Sequence, residues 1–185
     1  SAVSMSALGG AIVGAPLAAQ TDQVARIIQT NSAGTNAHLI DPETHEVLGV
    51  IEGLPHVHGV AEHPEGLYYY FSNEMHEAID IVDTRTLEVV DHIPLSGRPN
   101  NISMSREIRK LYVGIRGGGP YTDVIDIDTH EVIRTIRMHR GVHNIYVTDD
   151  ERWAVASLAP GPDNPEWQML ASWVRGELTG STCPG

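Results

Sequence analysis

IDIVDTRTLEVVDHIPLSGRPNNISMSREIRKLYV, residues 79–113, reads as strands separated by turns. An apolar-alternating run ends in the polar turn 83–86. A second run, 87–93, is broken by Ser96, Gly97 and Pro99. Ile102 and Met104 then alternate with Ser103 and Ser105, and residues 111–113 resume a strand. Such short alternating runs bounded by Gly, Pro, Asn or Asp are strand signals. The same pattern is repeated on both sides. Thr44, Thr86 and Thr129 each precede a Glu-Val pair, at 46–47, 88–89 and 131–132, with offsets of 42 and 43. His58, Asn100 and His143 recur at the same offsets, as do Tyr70, Tyr112 and Val155. Three landmarks sharing one period of about 40–45 residues, with four strands in each, define β-propeller blades.

Upstream, residues 26–30, 37–41 and 46–51 match the second, third and fourth strands of a preceding unit. Two complete units follow, with strands at 57–62, 67–72, 78–82 and 87–93, then 100–104, 110–115, 123–127 and 132–137. A last unit begins at 143–147 and 153–157. The total is about three and a third repeats. The expected fold is all-β: blades of four antiparallel strands in an open arc of three to four, an incomplete ring. Residues 1–20, 21–157 and 158–185 are the expected divisions. Residues 5–19, MSALGGAIVGAPLAA, are small, apolar and uncharged. They read as the remnant of a secretory signal peptide, or as an apolar N-terminal segment. In the tail, Trp167, Leu170 and Val174 fall at helical spacing and predict a short helix over 166–178.

Composition excludes several classes. The 185 residues carry a formal net charge of −12 with only 12 Lys plus Arg, so no nucleic-acid surface is expected. Protonation of several of the ten histidines would reduce that charge considerably. One cysteine, Cys183, allows no internal disulfide. No run is long and apolar enough for a membrane helix.

The motifs around residues 69–73, YYFSN, and the following AIDIVDTRTLEVVDHIPLSGRPNNISMS resemble the YVTN-type propeller repeat. Tyr112-Val113-Gly114-Ile115 and Ile145-Tyr146-Val147-Thr148 keep parts of the pattern. The resemblance covers residues 24–157. Residues 141–148, GVHNIYVT, are similar to the periplasmic branch that includes the haem domain of cytochrome cd-type nitrite reductases. This resemblance implies a periplasmic or secreted protein. Its relatives include binding proteins, lactonase-like propellers and haem-carrying domains, so the fold alone does not choose among activities.

The first strand of each propeller blade lines the central channel. His58, Asn100 and His143 stand at the start of that strand in three successive units, with His56, Asn144 and Arg98 nearby. These six are the candidate ligand-binding residues at the channel mouth. Imidazoles there could bind a metal, ligate a haem or accept a proton. Alternatively, Asn and His hydrogen-bond the turns and touch no ligand. Arg98 and Arg116 could hold a carboxylate or phosphate, or form surface ion pairs. Asp126, Asp128 and Glu131 have the look of a short calcium loop but lack its Gly, which favours an inter-strand turn. Residues 117–119 lack the Lys of a phosphate loop, no serine has an elbow motif, and no Cys-x-x-Cys-His attaches haem. No catalytic residue is assigned, and cofactor and metal remain open. The expected function is a non-enzymatic ligand- or protein-binding module. A cofactor- or metal-dependent domain using the channel histidines is the alternative. Open blade edges make a protein partner or self-association possible.

Overall fold

The computed structural model describes residues 25–159 and 169–173. Among these residues fourteen strands form four antiparallel meanders. The first sheet holds β1 (Ile27–Thr30), β2 (Asn36–Ile40) and β3 (Val47–Glu52). The second holds β4 (Val57–Glu62), β5 (Tyr68–Asn73), β6 (Ala78–Asp83) and β7 (Val89–Pro94). The third holds β8 (Arg98–Ser105), β9 (Lys110–Gly117), β10 (Tyr121–Asp126) and β11 (Glu131–Arg137). The fourth holds β12 (Val142–Val147), β13 (Trp153–Leu158) and β14 (Met169–Trp173). Within each complete sheet the strands lie in sequence order, as short polar turns dictate. Among the described residues the sheets close no ring.

One turn chemistry sets the period. Asp41 accepts the amides of Glu43 and Thr44 at 2.8 and 3.0 Å. Asp83 does the same for Arg85 and Thr86, and Asp126 for Asp128 and Thr129. These are Asx turns, in which the side chain replaces a backbone acceptor. Each ends in a left-handed residue, His45, Leu87 or His130, with φ near 60°. The acidic residues 126 and 128 serve this architecture: the second oxygen of Asp126 takes Lys110 at 2.8 Å, and Asp128 pairs with Arg109 at 2.7 Å. Arg109 also reaches Glu65 on the neighbouring sheet, 2.7 Å away. Its guanidinium holds both carboxyls below their ordinary range.

The core lies in the gaps between sheets. Strand alternation sends consecutive side chains of β5 and β9 into different gaps, which is why both strands are apolar on both faces. Tyr69 and Phe71 pack with Ala37, Leu39 and Ile51 between the first and second sheets. Tyr70 packs with Ile79, Ile81, Ile102, Leu111 and Val113 between the second and third. Tyr112 turns the other way, toward Val142, Ile145 and Ala156 of the fourth sheet. The outer strands β7 and β11 are largely exposed, with Val90 and Ile133 each 53% accessible. β4 packs against β8 and β8 against β12, so these three are the inner strands of successive blades.

The tail departs from its sequence expectation. Residues 169–173 do not form part of a helix: they are β14, paired antiparallel with β13 from Trp153↔Trp173 to Ser157↔Met169. The helical spacing of Leu170 is outweighed by the row of unpaired amides and carbonyls on β13, which a third strand satisfies. The remainder of the expected helix lies outside the described residues, as does the apolar segment 5–19. Leu158 also joins the repeats as the last residue of β13. No helix among the described residues is long and apolar enough to cross a membrane.

Candidate functional site

A second repeated contact sets the height of the inner strands. Thr30, at the end of β1, donates its hydroxyl to the carbonyl of His58 at 2.8 Å. Ser72, 42 residues on and fully buried, donates to the carbonyl of Asn100. Ser72 also accepts the Gly59 amide at 2.7 Å. A hydroxyl on the second strand of one blade thus anchors the inner strand of the next. Gly59 is required for the close approach, since a Cβ there would meet the Ile102 amide nitrogen at 2.9 Å. Beyond, Asn101 Oδ1 accepts the amide of Ile145 at 3.1 Å, and Ser103 Oγ accepts that of Val147 at 2.9 Å.

This framework puts His58, Asn100 and His143 at the same end of β4, β8 and β12, within the first three residues of each. Asn100 is buried, whereas His58 and His143 are half-buried. Arg98 is the first residue of β8 and is exposed. A residue that the sequence analysis did not single out joins two of them. Glu74 follows β5 and places one carboxylate oxygen 2.7 Å from His58 Nε2. Its other oxygen lies 4.0 Å from an Arg98 guanidinium nitrogen. The result is an imidazole–carboxylate–guanidinium row spanning two blades. His56 enters through its backbone: its carbonyl accepts the Glu74 amide at 3.1 Å, and its own amide donates to Gly34. The His56 side chain is exposed, on a residue with φ 52°. His143 and Asn144 stand one blade beyond, on β12, and Arg116 is exposed at the end of β9.

Glu74 carries no repeat signal in the sequence, since Ser32 and Arg116 occupy its equivalent positions. The Thr30–Ser72 pair, by contrast, was visible in principle as two hydroxyl residues one period apart. The row's chemistry is that of a polar binding edge. Arg98 presents planar N–H donors suited to carboxylate or phosphate. Glu74 accepts from one side and orients the imidazole from the other, since a ring nitrogen tied to a carboxylate leaves the opposite nitrogen directed outward.

Consecutive antiparallel meanders packed face to face, with the first strand of one beside the first strand of the next, define a β-propeller. Within that class the chain belongs to the YNCE-like beta-propeller family, whose model matches residues 50–152. No curated protein matches it. Among solved structures it is similar to Kuenenia stuttgartiensis hydrazine synthase, with a TM-score of 0.74 and 21% identity. That match covers 80% of this chain and 43% of the other. It is also similar to the dihydro-heme d1 dehydrogenase NirN in complex with DHE, with a TM-score of 0.59 and 16% identity over 82% of this chain and 35% of that one. The chain therefore spans less than half the length of either structure. At these identities the likeness is one of fold.

Proposed function

We propose that this chain is a secreted or periplasmic propeller module that binds an anionic ligand, without turnover, at the inner-strand end marked by His58, Asn100 and His143. The observation that carries this reading is the His58–Glu74–Arg98 row. It orients a half-buried imidazole and an exposed guanidinium along the edge where two inner strands begin. Binding fits better than catalysis because Glu74, the carboxylate available for proton transfer in the row, is already engaged from both sides. The ligand class is a carboxylate or phosphate, free or displayed by a protein partner. The extracytoplasmic location rests on the uncharged apolar stretch 5–19.

Calorimetric titration of the purified protein with citrate and with inorganic phosphate tests the reading. Saturable binding is expected for at least one, and Arg98→Ala should weaken it about 10- to 100-fold, the worth of a charge-assisted hydrogen bond. Glu74→Gln should weaken it less, through loss of His58 orientation. Absence of saturable binding, or equal affinity in Arg98→Ala, overturns the proposal. A Soret shift on titration with haem, lost in His58→Ala, would instead favour a cofactor-carrying domain.

A further inference from the structure

The turn that sends Glu74 toward the inner strands sends His76 outward, to a second cluster. There the Asp80 carboxylate of β6 is fully buried, yet two largely exposed imidazoles flank it. His92 Nδ1, from β7, lies 2.7 Å from Asp80 Oδ1, and His76 Nδ1 lies 4.0 Å from the same oxygen. One ligand atom from each of the three residues falls within 4.8 Å of the other two. The rings of His76 and His92 stand nearly perpendicular, at 88°, with centroids 6.2 Å apart. Asn73 donates its amide to the remaining Asp80 oxygen at 2.6 Å, and the same nitrogen lies 3.1 Å from His76 Nδ1, a contact that the ion would replace. We propose that His76, Asp80 and His92 form a binding site for a divalent transition-metal ion of the zinc class.

The geometry fits that chemistry. Ligand atoms about 2.0–2.1 Å from a tetrahedral zinc are about 3.4 Å from one another. The two observed spacings bracket this value, so small rotations of two surface imidazoles bring the donors to a common centre. Two imidazoles with one carboxylate suit zinc, copper or nickel better than calcium or magnesium, which take oxygen ligands. Asn73 supplies the outer hydrogen bond that orients the carboxylate. The imidazoles border an open groove of about 740 Å³ between β3 and β7, with Glu52 and Glu88 on its walls. Those acidic walls favour a cation, and the groove leaves room for water or a ligand in the fourth position.

The neighbouring blade shows what a purely structural version looks like. Asp123, one period after Asp80, is equally buried. It accepts the Thr135 hydroxyl at 2.6 Å and the Ser96 amide at 2.8 Å. No imidazole is needed to satisfy it. Thr135 occupies the position equivalent to His92, so the second blade has two metal-competent donors where a hydroxyl suffices.

This comparison also supplies a conservative test. Tag-free protein, stripped with EDTA, is titrated with ZnCl2 by calorimetry and with CoCl2 by visible absorption. One equivalent per chain is expected, with the intense d–d bands of tetrahedral cobalt and a metal-dependent rise in melting temperature. His92→Thr, which installs the residue of the next blade, and His76→Ala, at an exposed turn, should each weaken uptake at least tenfold. The double variant should abolish the cobalt spectrum while keeping the circular dichroism of the parent. No uptake by the parent protein overturns the assignment and leaves His92–Asp80 as a hydrogen bond alone. Uptake that survives in the double variant overturns it equally, because the ion then sits elsewhere. The site does not depend on the channel-end reading, since none of its three ligands belongs to the row at His58.

Discussion

Ile102→Ala is the most direct probe of how the blades hold together. Ile102 lies on inner strand β8, 5% accessible, in the core shared by the second and third sheets. Its Cγ1 is among the atoms packed closest over Gly59, so it also fills the gap to β4. Truncation removes three carbons, a transfer loss of about 2.4 kcal/mol at ~0.8 kcal/mol each. A residual cavity of about 50–80 Å³ adds roughly 1–2 kcal/mol at ~24 cal/mol per Å³. The expected cost is therefore about 3–4 kcal/mol, within the usual large-to-small range. For a chain of this size, each kcal/mol lowers the melting temperature by about 2–4 °C, giving a drop of about 6–16 °C. Thermal unfolding followed by circular dichroism measures it. Ile133→Ala on exposed β11 is the control and should change stability by less than ~0.5 kcal/mol. Equal melting temperatures for the two variants would refute the claim that the inter-sheet gap carries the core.

Two further outcomes are expected. Ser72→Ala strands the Gly59 amide and removes a donor from the Asn100 carbonyl, both at a buried position. It should cost about 1–3 kcal/mol in urea unfolding, and a midpoint unchanged from the parent would show that the hydroxyl does not anchor the inner strand. The third concerns pH. Burial pushes the His63 imidazole below its ordinary value near 6.5, against the opposing pull of Glu65. A histidine depressed in the fold binds more protons when unfolded, so its stabilisation is present above about pH 6.5 and declines as pH falls toward the folded value. His63→Gln should therefore lose less melting temperature than the parent across that window, and parallel pH profiles for the two proteins would contradict the assignment.

The period, the strand order and the equivalence of His58, Asn100 and His143 are legible in the residues alone. The reason is local: alternation and Asp-anchored turns depend on neighbours within a few residues, and residues 41–47, 83–89 and 126–132 repeat them three times. Packing supplies what the repeat does not contain. Glu74 bridges His58 and Arg98 only because the turn after β5 and the start of β8 meet across a blade boundary, and its equivalents are Ser32 and Arg116. His76, Asp80 and His92 come from a turn and two strands, and His92 has Thr135 as its counterpart. Residues 169–173 became a strand because β13 offered an unpaired edge, a demand their own side-chain spacing does not encode. Repetition records the scaffold, whose contacts recur in every blade. The candidate sites arise where one blade departs from its neighbours, and only packing shows which departures meet.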